Sequence, residues 1–287
     1  MESIRWGSGS VCFELRSSDP EVLGIAREVF ARWPAPDGAR LEARWVIRRS
    51  ADDFVVHPEP VAPPGTTLPA VLDAGQAVTV VEYSAIWHIV RNCPHILAFH
   101  SALLSRNGVS VAIVGPSEAG KSTLSTALWR SGWTLLCDDT TMVSGVTASP
   151  APRRVHLRDG CLPLVGEQLW TKIQSTPGYR RTTVGCLFHP EAVELPDREV
   201  DLSAVVFLKR NGAPADATGP TPLTPADAAL ALMPYTNLMR TLSFPEALAP
   251  IATLMSAVPA WDLPRAPLPE MIESVERLTN VSELVSA

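Results

Sequence analysis

The segment Gly115-Pro116-Ser117-Glu118-Ala119-Gly120-Lys121-Ser122 constrains this chain more than any other. Two glycines bracket four residues and lead into Lys-Ser, a spacing that lets backbone N–H groups converge on an anion while the lysine reaches toward it. Ahead of it, Val109 to Val114 is an unbroken apolar run, the pattern of a strand buried on both faces. Behind it, Leu124, Ala127 and Leu128 fall at helical spacing, and Gly132 supplies a stop. The motif therefore sits in its required context, between a buried strand and a helix whose N-terminus adds partial positive charge. Trp133 to Cys137 reads as the next buried strand, so the region predicts a βαβ unit with parallel strands and an α/β fold.

This chemistry suits a nucleotide. Lys121 would reach the β- and γ-phosphates and the Ser122 hydroxyl would ligate Mg²⁺, so the expected cofactors are ATP and Mg²⁺, with Gly115 through Thr123 as the binding segment. Glu118 adds a negative charge at a position the motif leaves free.

Cys137-Asp138-Asp139-Thr140 closes the strand after the loop's helix, and the carboxyl ends of strands in parallel sheets face the ligand crevice. Two adjacent carboxylates there are costly unless solvated or bound to a cation. A nucleotide-bound Mg²⁺ answers that cost; one carboxylate could instead accept the proton of an attacking hydroxyl, or serve as an ordinary turn residue. An acidic group on the very next strand is the arrangement of small kinases. A guanine-reading N-K-x-D is missing, since Thr171-Lys172-Ile173-Gln174 lacks its final aspartate.

Asn107-Gly108 between two apolar segments is the strongest short hairpin signal, because a type I′ turn needs positive φ at both residues. With these two as the loop, Arg106 faces Val109, and counting back puts His100 opposite Gly115. In that register His100 could orient a carboxylate, hydrogen-bond a phosphate oxygen or help to move a proton.

At 287 residues the chain accommodates one large α/β domain and a smaller companion. Proline clusters around Pro58 to Pro69 and Pro214 to Pro225 punctuate it as loops. We expect a small N-terminal α/β lobe over residues 1–95, with strands at Ser10 to Leu15 and Leu41 to Arg48 and a helix from Pro20 to Trp33, and a larger domain over 96–287. Within the larger domain, Ser203 to Leu208 reads as a strand, and Pro225 to Leu242 and Pro267 to Val285 as helices. No apolar run approaches the ~18 residues of a membrane span, and the first residues lack a secretory pattern, so a cytoplasmic, membrane-free protein is expected. Five widely spaced cysteines with no C-x-x-C pair read as reduced and buried. A net charge of -6 disfavours a nucleic-acid partner, while a homo-oligomer is compatible with the sequence.

Phe99-His100-Ser101, the Asn-Gly hairpin, the Gly-Pro-Ser-x-Ala-Gly-Lys-Ser-Thr-Leu loop and Gly132-Trp133-x-Leu-Leu-x-Asp138-Asp139 together resemble the core of the HPr serine kinase family, in particular its HPr-kinase-related branches. The resemblance spans Phe99 to Thr140. It implies a P-loop kinase domain of the HPr kinase type that phosphorylates a hydroxyl. By position it makes Lys121 and Ser122 the nucleotide and Mg²⁺ residues, Asp138 the general base, Asp139 its metal-side neighbour and His100 the histidine near the transferred phosphate. The chain departs from that pattern at Glu118, where the family carries glycine, and at Ser122-Thr123, where the HPr enzymes proper carry Ser-Glu. The acceptor expected is thus a Ser or Thr hydroxyl of a protein or peptide other than HPr. A small-molecule kinase and a nucleotide sensor without transfer are the rival readings. Arg153, Arg154, Arg158, Lys209 and Arg210 are the cations expected to face an acceptor, the last two because they close a predicted strand.

Overall fold

The computed structural model describes residues 1–59, 73–190, 199–208 and 219–285, the last with side chains to Thr279. Lys209, Arg210, residues 60–69 of the first proline-rich stretch and 214–218 of the second lie outside the described residues. The fold is mixed α/β with three sheets among the described residues, and the chain divides into two compact units: Met1–Cys93 with Ala151–Arg154, and Pro94–Pro150 with Val155–Ala287.

In the first unit, β1 (Glu2–Ser8) and β2 (Val11–Ser17) form a hairpin, and α1 (Pro20–Phe30) crosses over to β3 (Arg40–Ser50), which lies parallel to β2. Asp19 starts α1 by accepting the N–H groups of Glu21 and Val22, and Pro20 sits where a missing N–H costs nothing. β4 (Asp53–Glu59) pairs antiparallel with β3, and α2 (Ala74–Asn92) follows. Alternation along β2 and β3 sends Phe13, Leu15, Trp45 and Ile47 into the core, where Trp6 stacks on Phe30 with centroids 3.9 Å apart. Strand β1 carries no signal strong enough to separate it from a loop in the sequence.

The second unit opens with β5 (Leu97–Arg106) and β6 (Val109–Val114), joined by Asn107 and Gly108, whose φ values of 52° and 78° meet the demand of the turn. After α3 (Lys121–Arg130) come β7 (Thr134–Cys137), β8 (Thr140–Ser144) and β9 (Thr147–Pro150). Then follow β10 (Val155–Arg158), α4 (Leu162–Val165), α5 (Glu167–Gln174), β11 (Arg180–Thr182) and β12 (Gly185–Phe188), in which β10, β12 and β11 make a small sheet. The remainder is β13 (Val200–Asp201), β14 (Ala204–Leu208), β15 (Thr221–Pro222), α6 (Pro225–Leu232), α7 (Leu238–Thr241), α8 (Phe244–Ala257), β16 (Ala260–Leu263) and α9 (Leu268–Val285).

The large sheet runs β13-β9-β8-β5-β6-β14-β16-β15, with β7 alongside β5. The βαβ unit read from the sequence is present: β6 and β7 share a direction, with β5 antiparallel between them, so the two are not neighbours in the sheet. The hairpin claims the edge that a parallel partner would have used, and β14 takes the other edge of β6 in parallel. The predicted helix from Pro225 to Leu242 is broken: α6 stops at Leu232, and Met233–Tyr235 forms a 3-10 turn, because Pro234 cannot donate the next helical hydrogen bond. All five cysteines are reduced thiols and buried.

Candidate active site

Strand β6 delivers the chain to Gly115, where a Cβ would lie 3.1 Å from both Leu208 Cβ and Leu208 O at the end of β14. A side chain there would require Leu208 to give way by a few tenths of an ångström. The loop then closes with Ala119 N–H on Pro116 O at 3.3 Å, passes through positive φ at Glu118 (66°) and Gly120 (99°), and enters α3 at Lys121. The left-handed backbone at position 118 explains why a glycine suits that place, and Glu118 holds it at a cost of roughly 1–3 kcal/mol. Its side chain is exposed.

Lys121 is 6% exposed, and its ammonium donates to Gly115 O at 2.7 Å and Pro116 O at 3.0 Å. Desolvation lowers its pKa, the charge of Asp139 opposes that, and Arg158 lowers it further. Ser122 lies next on α3; its carbonyl accepts from Thr126 Oγ1 at 2.6 Å. The N–H groups of Lys121, Ser122 and Thr123 open the helix and have no intrahelical acceptor. Thr123 Oγ1 rests 3.8 Å from Cys161 Sγ, which seats the start of α3 against the Asp159–Cys161 turn.

Asp138 and Asp139 occupy the two-residue link between β7 and β8. Asp138 Oδ2 accepts the His156 N–H at 3.0 Å, a backbone tether from β10 that sequence reasoning did not find. Asp139 is bound through its backbone: its carbonyl accepts Ser101 N–H at 3.1 Å and His100 Nδ1 at 2.8 Å, and Thr140 Oγ1 donates to its Oδ2 at 3.2 Å. His100 Nδ1 also lies 3.3 Å from Asp139 Oδ1. Since its near partner is a carbonyl, Nδ1 carries the proton and Nε2 is the nitrogen that can accept one. Burial drives the neighbouring Cys137 thiol up to about 12, leaving it neutral beside the acidic pair.

The β5–β6 register follows the hairpin from Arg106–Val109 to Ser101–Val114 and stops there. His100 does not pair with Gly115; it pairs with Thr140 on β8, because β6 turns away into the loop. Arg153 and Arg154 also need correction as acceptor-facing cations. They are 7% and 2% exposed and belong to the first unit, where Arg153 stacks over Tyr83 and Arg154 is bound to Glu82. Arg158, on β10, is exposed.

The donors suit the expected cofactors. The Ser122 hydroxyl and the two carboxylates are oxygen ligands of the kind Mg²⁺ takes, and the positive-φ loop with a buried lysine at its base has the chemistry that would suit an anion.

No protein-family model matches the chain, and no curated protein matches it. Among solved structures it is similar to the Hpr(Ser) kinase/phosphatase from Coxiella burnetii, at 19% identity and a TM-score of 0.39, over 65% of this chain and 97% of that one. The likeness is remote.

Proposed function

We propose that the second unit is an ATP-dependent kinase that transfers the γ-phosphoryl group to a Ser or Thr hydroxyl of a protein or peptide. The observation that carries this reading is the buried Lys121 ammonium at the base of the positive-φ loop, donating only to the Gly115 and Pro116 carbonyls, with His100 hydrogen-bonded to Asp139 and Asp138 beside it in the same two-residue link. Bound ATP would supply the phosphoryl group, and Mg²⁺ would neutralise the charge on its phosphates. Lys121 and the N–H groups at the start of α3 bind phosphate oxygens, Ser122 and Asp139 hold the cation, and Arg158 stabilises charge that develops on the phosphoryl group. Asp138 accepts the proton of the acceptor hydroxyl as the oxygen–phosphorus bond forms and ADP departs. His100 fixes Asp139 through Nδ1. Lys209 and Arg210 remain candidates for reading an acidic acceptor.

The test is γ-labelled ATP incubated with the chain and peptides presenting Ser or Thr, followed by mass mapping of the label. Wild type should label a hydroxyl, Lys121→Ala should turn over no ATP, and Asp138→Asn should bind ATP and transfer nothing. Wild-type-like transfer by Asp138→Asn would remove it as the base, and ATP bound without any label moved would favour a sensor.

A further inference from the structure

Where β6 leaves the sheet at Val114, the edge of β5 that it covered continues uncovered from His100 back toward Ile96. On its other edge this stretch is still paired, Leu97 through His100 lying against β8. The uncovered edge is taken by Thr236 and Asn237, between the Met233–Tyr235 turn and α7. Phe99 bridges to Thr236, and Asn237 N–H donates to Ala98 O at 2.9 Å. The Asn237 side chain supplies the rest: Oδ1 accepts Ala98 N–H at 2.8 Å, and Nδ2 donates to Ile96 O at 2.8 Å. Asn237 is 2% exposed and Thr236 3%, so these are dry hydrogen bonds.

We infer that Asn237 is a positioning residue for the His100–Asp139 pair, standing in for a strand at the point where the phosphate loop takes β6 out of the sheet; its catalytic meaning rests on the kinase reading of that site. The carboxamide is the one side chain of this length that offers a donor and an acceptor together, and both are used on backbone. Aspartate would set a carboxylate oxygen against Ile96 O. Leucine would keep the volume and strand two buried backbone groups. Two residues beyond Ala98, the His100 ring is 44% exposed, and its recorded tethers all run to Asp139. Its position is therefore inherited from the β5 backbone, and Asn237 is what holds that backbone on the loop side.

The experiment compares wild type, Asn237→Leu, Asn237→Ser and the control Leu254→Ala, the last a buried α8 residue remote in sequence from the site. The readout is the ¹⁵N signature of the His100 ring, which separates the Nδ1–H from the Nε2–H tautomer. Wild type and Leu254→Ala should show Nδ1–H, whereas both Asn237 variants should show mixed tautomers, Asn237→Ser serving if Asn237→Leu does not fold. Where transfer is measurable, kcat should fall about 10- to 100-fold in the Asn237 variants with the KM for ATP unchanged. An unaltered Nδ1–H signature in the Asn237 variants, or the same loss in Leu254→Ala, overturns the inference. If the tautomer shifts as stated and wild type transfers no phosphoryl group, the clamp stands and the kinase reading falls.

Discussion

Two of the cations buried among the described residues, Arg154 and Lys121, are treated in opposite ways. In the first unit the Arg154 guanidinium is enclosed by a carboxylate: Nη2 lies 2.7 Å and Nε 3.0 Å from Glu82 Oε2, Thr79 accepts from Nη2, and the Arg154 backbone N–H also reaches Glu82. In the second unit the Lys121 ammonium is almost as buried, yet it rests on two neutral carbonyls and forms no ion pair among the described residues. A buried charge that is fully paired is architecture. A buried charge hydrogen-bonded only to dipoles is poised to attract an anion, and burial lowers its pKa despite the charge of Asp139.

The sharpest way to break this contrast is to remove one partner of the closed pair. Glu82→Ala should cost about 3–5 kcal/mol in urea unfolding, because it leaves Arg154 buried and unpaired, whereas Glu82→Met with Arg154→Met should return to wild-type stability or above. A loss below about 1 kcal/mol for Glu82→Ala, the range of exposed pairs, would mean that the pair is not the closed unit described. Acid titration adds a smaller, signed effect. Desolvation raises the Glu82 pKa, but the charge and hydrogen bonds of Arg154, with Arg153 behind, outweigh it and hold the carboxyl below its ordinary value. The unfolded chain then protonates first as pH falls, so the pair's contribution is present above the ordinary carboxyl value of about 4.3 and is lost as pH falls through the folded one. The double-Met variant should lose less stability over that window. Lys121 has the opposite profile: its folded pKa is lowered, so stability rises as pH climbs through that value toward the ordinary lysine value of about 10.4, and Lys121→Met should flatten the rise. The smallest effect is at Glu118, where Glu118→Gly should relieve about 1 kcal/mol of backbone strain and tighten nucleotide binding by removing a negative charge from the loop. Unchanged affinity would show that its side chain points clear of the phosphates.

What was legible in the sequence differs between the two cations for the same reason. The loop around Lys121 is local: glycine at a close approach, glycine at positive φ, lysine and serine at the helix start all lie within eight residues, and Asn107-Gly108 sets the β5–β6 register through its own φ values. Arg154 was misread because its partner lies 72 residues away, and nothing near either residue signals the other. Two arginines beside a strand read as solvent-facing until the fold brings α2 to them. The neighbour of β7 was not read for a related reason, since the edge beside β6 is claimed by a hairpin formed earlier in the chain. Asn237 reaches Ile96 and Ala98 across more than a hundred residues, and a lone asparagine after a proline-containing turn carries no signal of that contact.

The claim at the centre is that the Lys121 charge is held available for nucleotide phosphate. Equilibrium binding of MgATP to wild type, Lys121→Met and the Glu82→Met/Arg154→Met double variant tests it most directly. Wild type and the double variant should bind alike, and Lys121→Met should bind about 10- to 100-fold more weakly, the loss of a charge-assisted hydrogen bond, while remaining folded. Equal affinity in wild type and folded Lys121→Met would contradict the account.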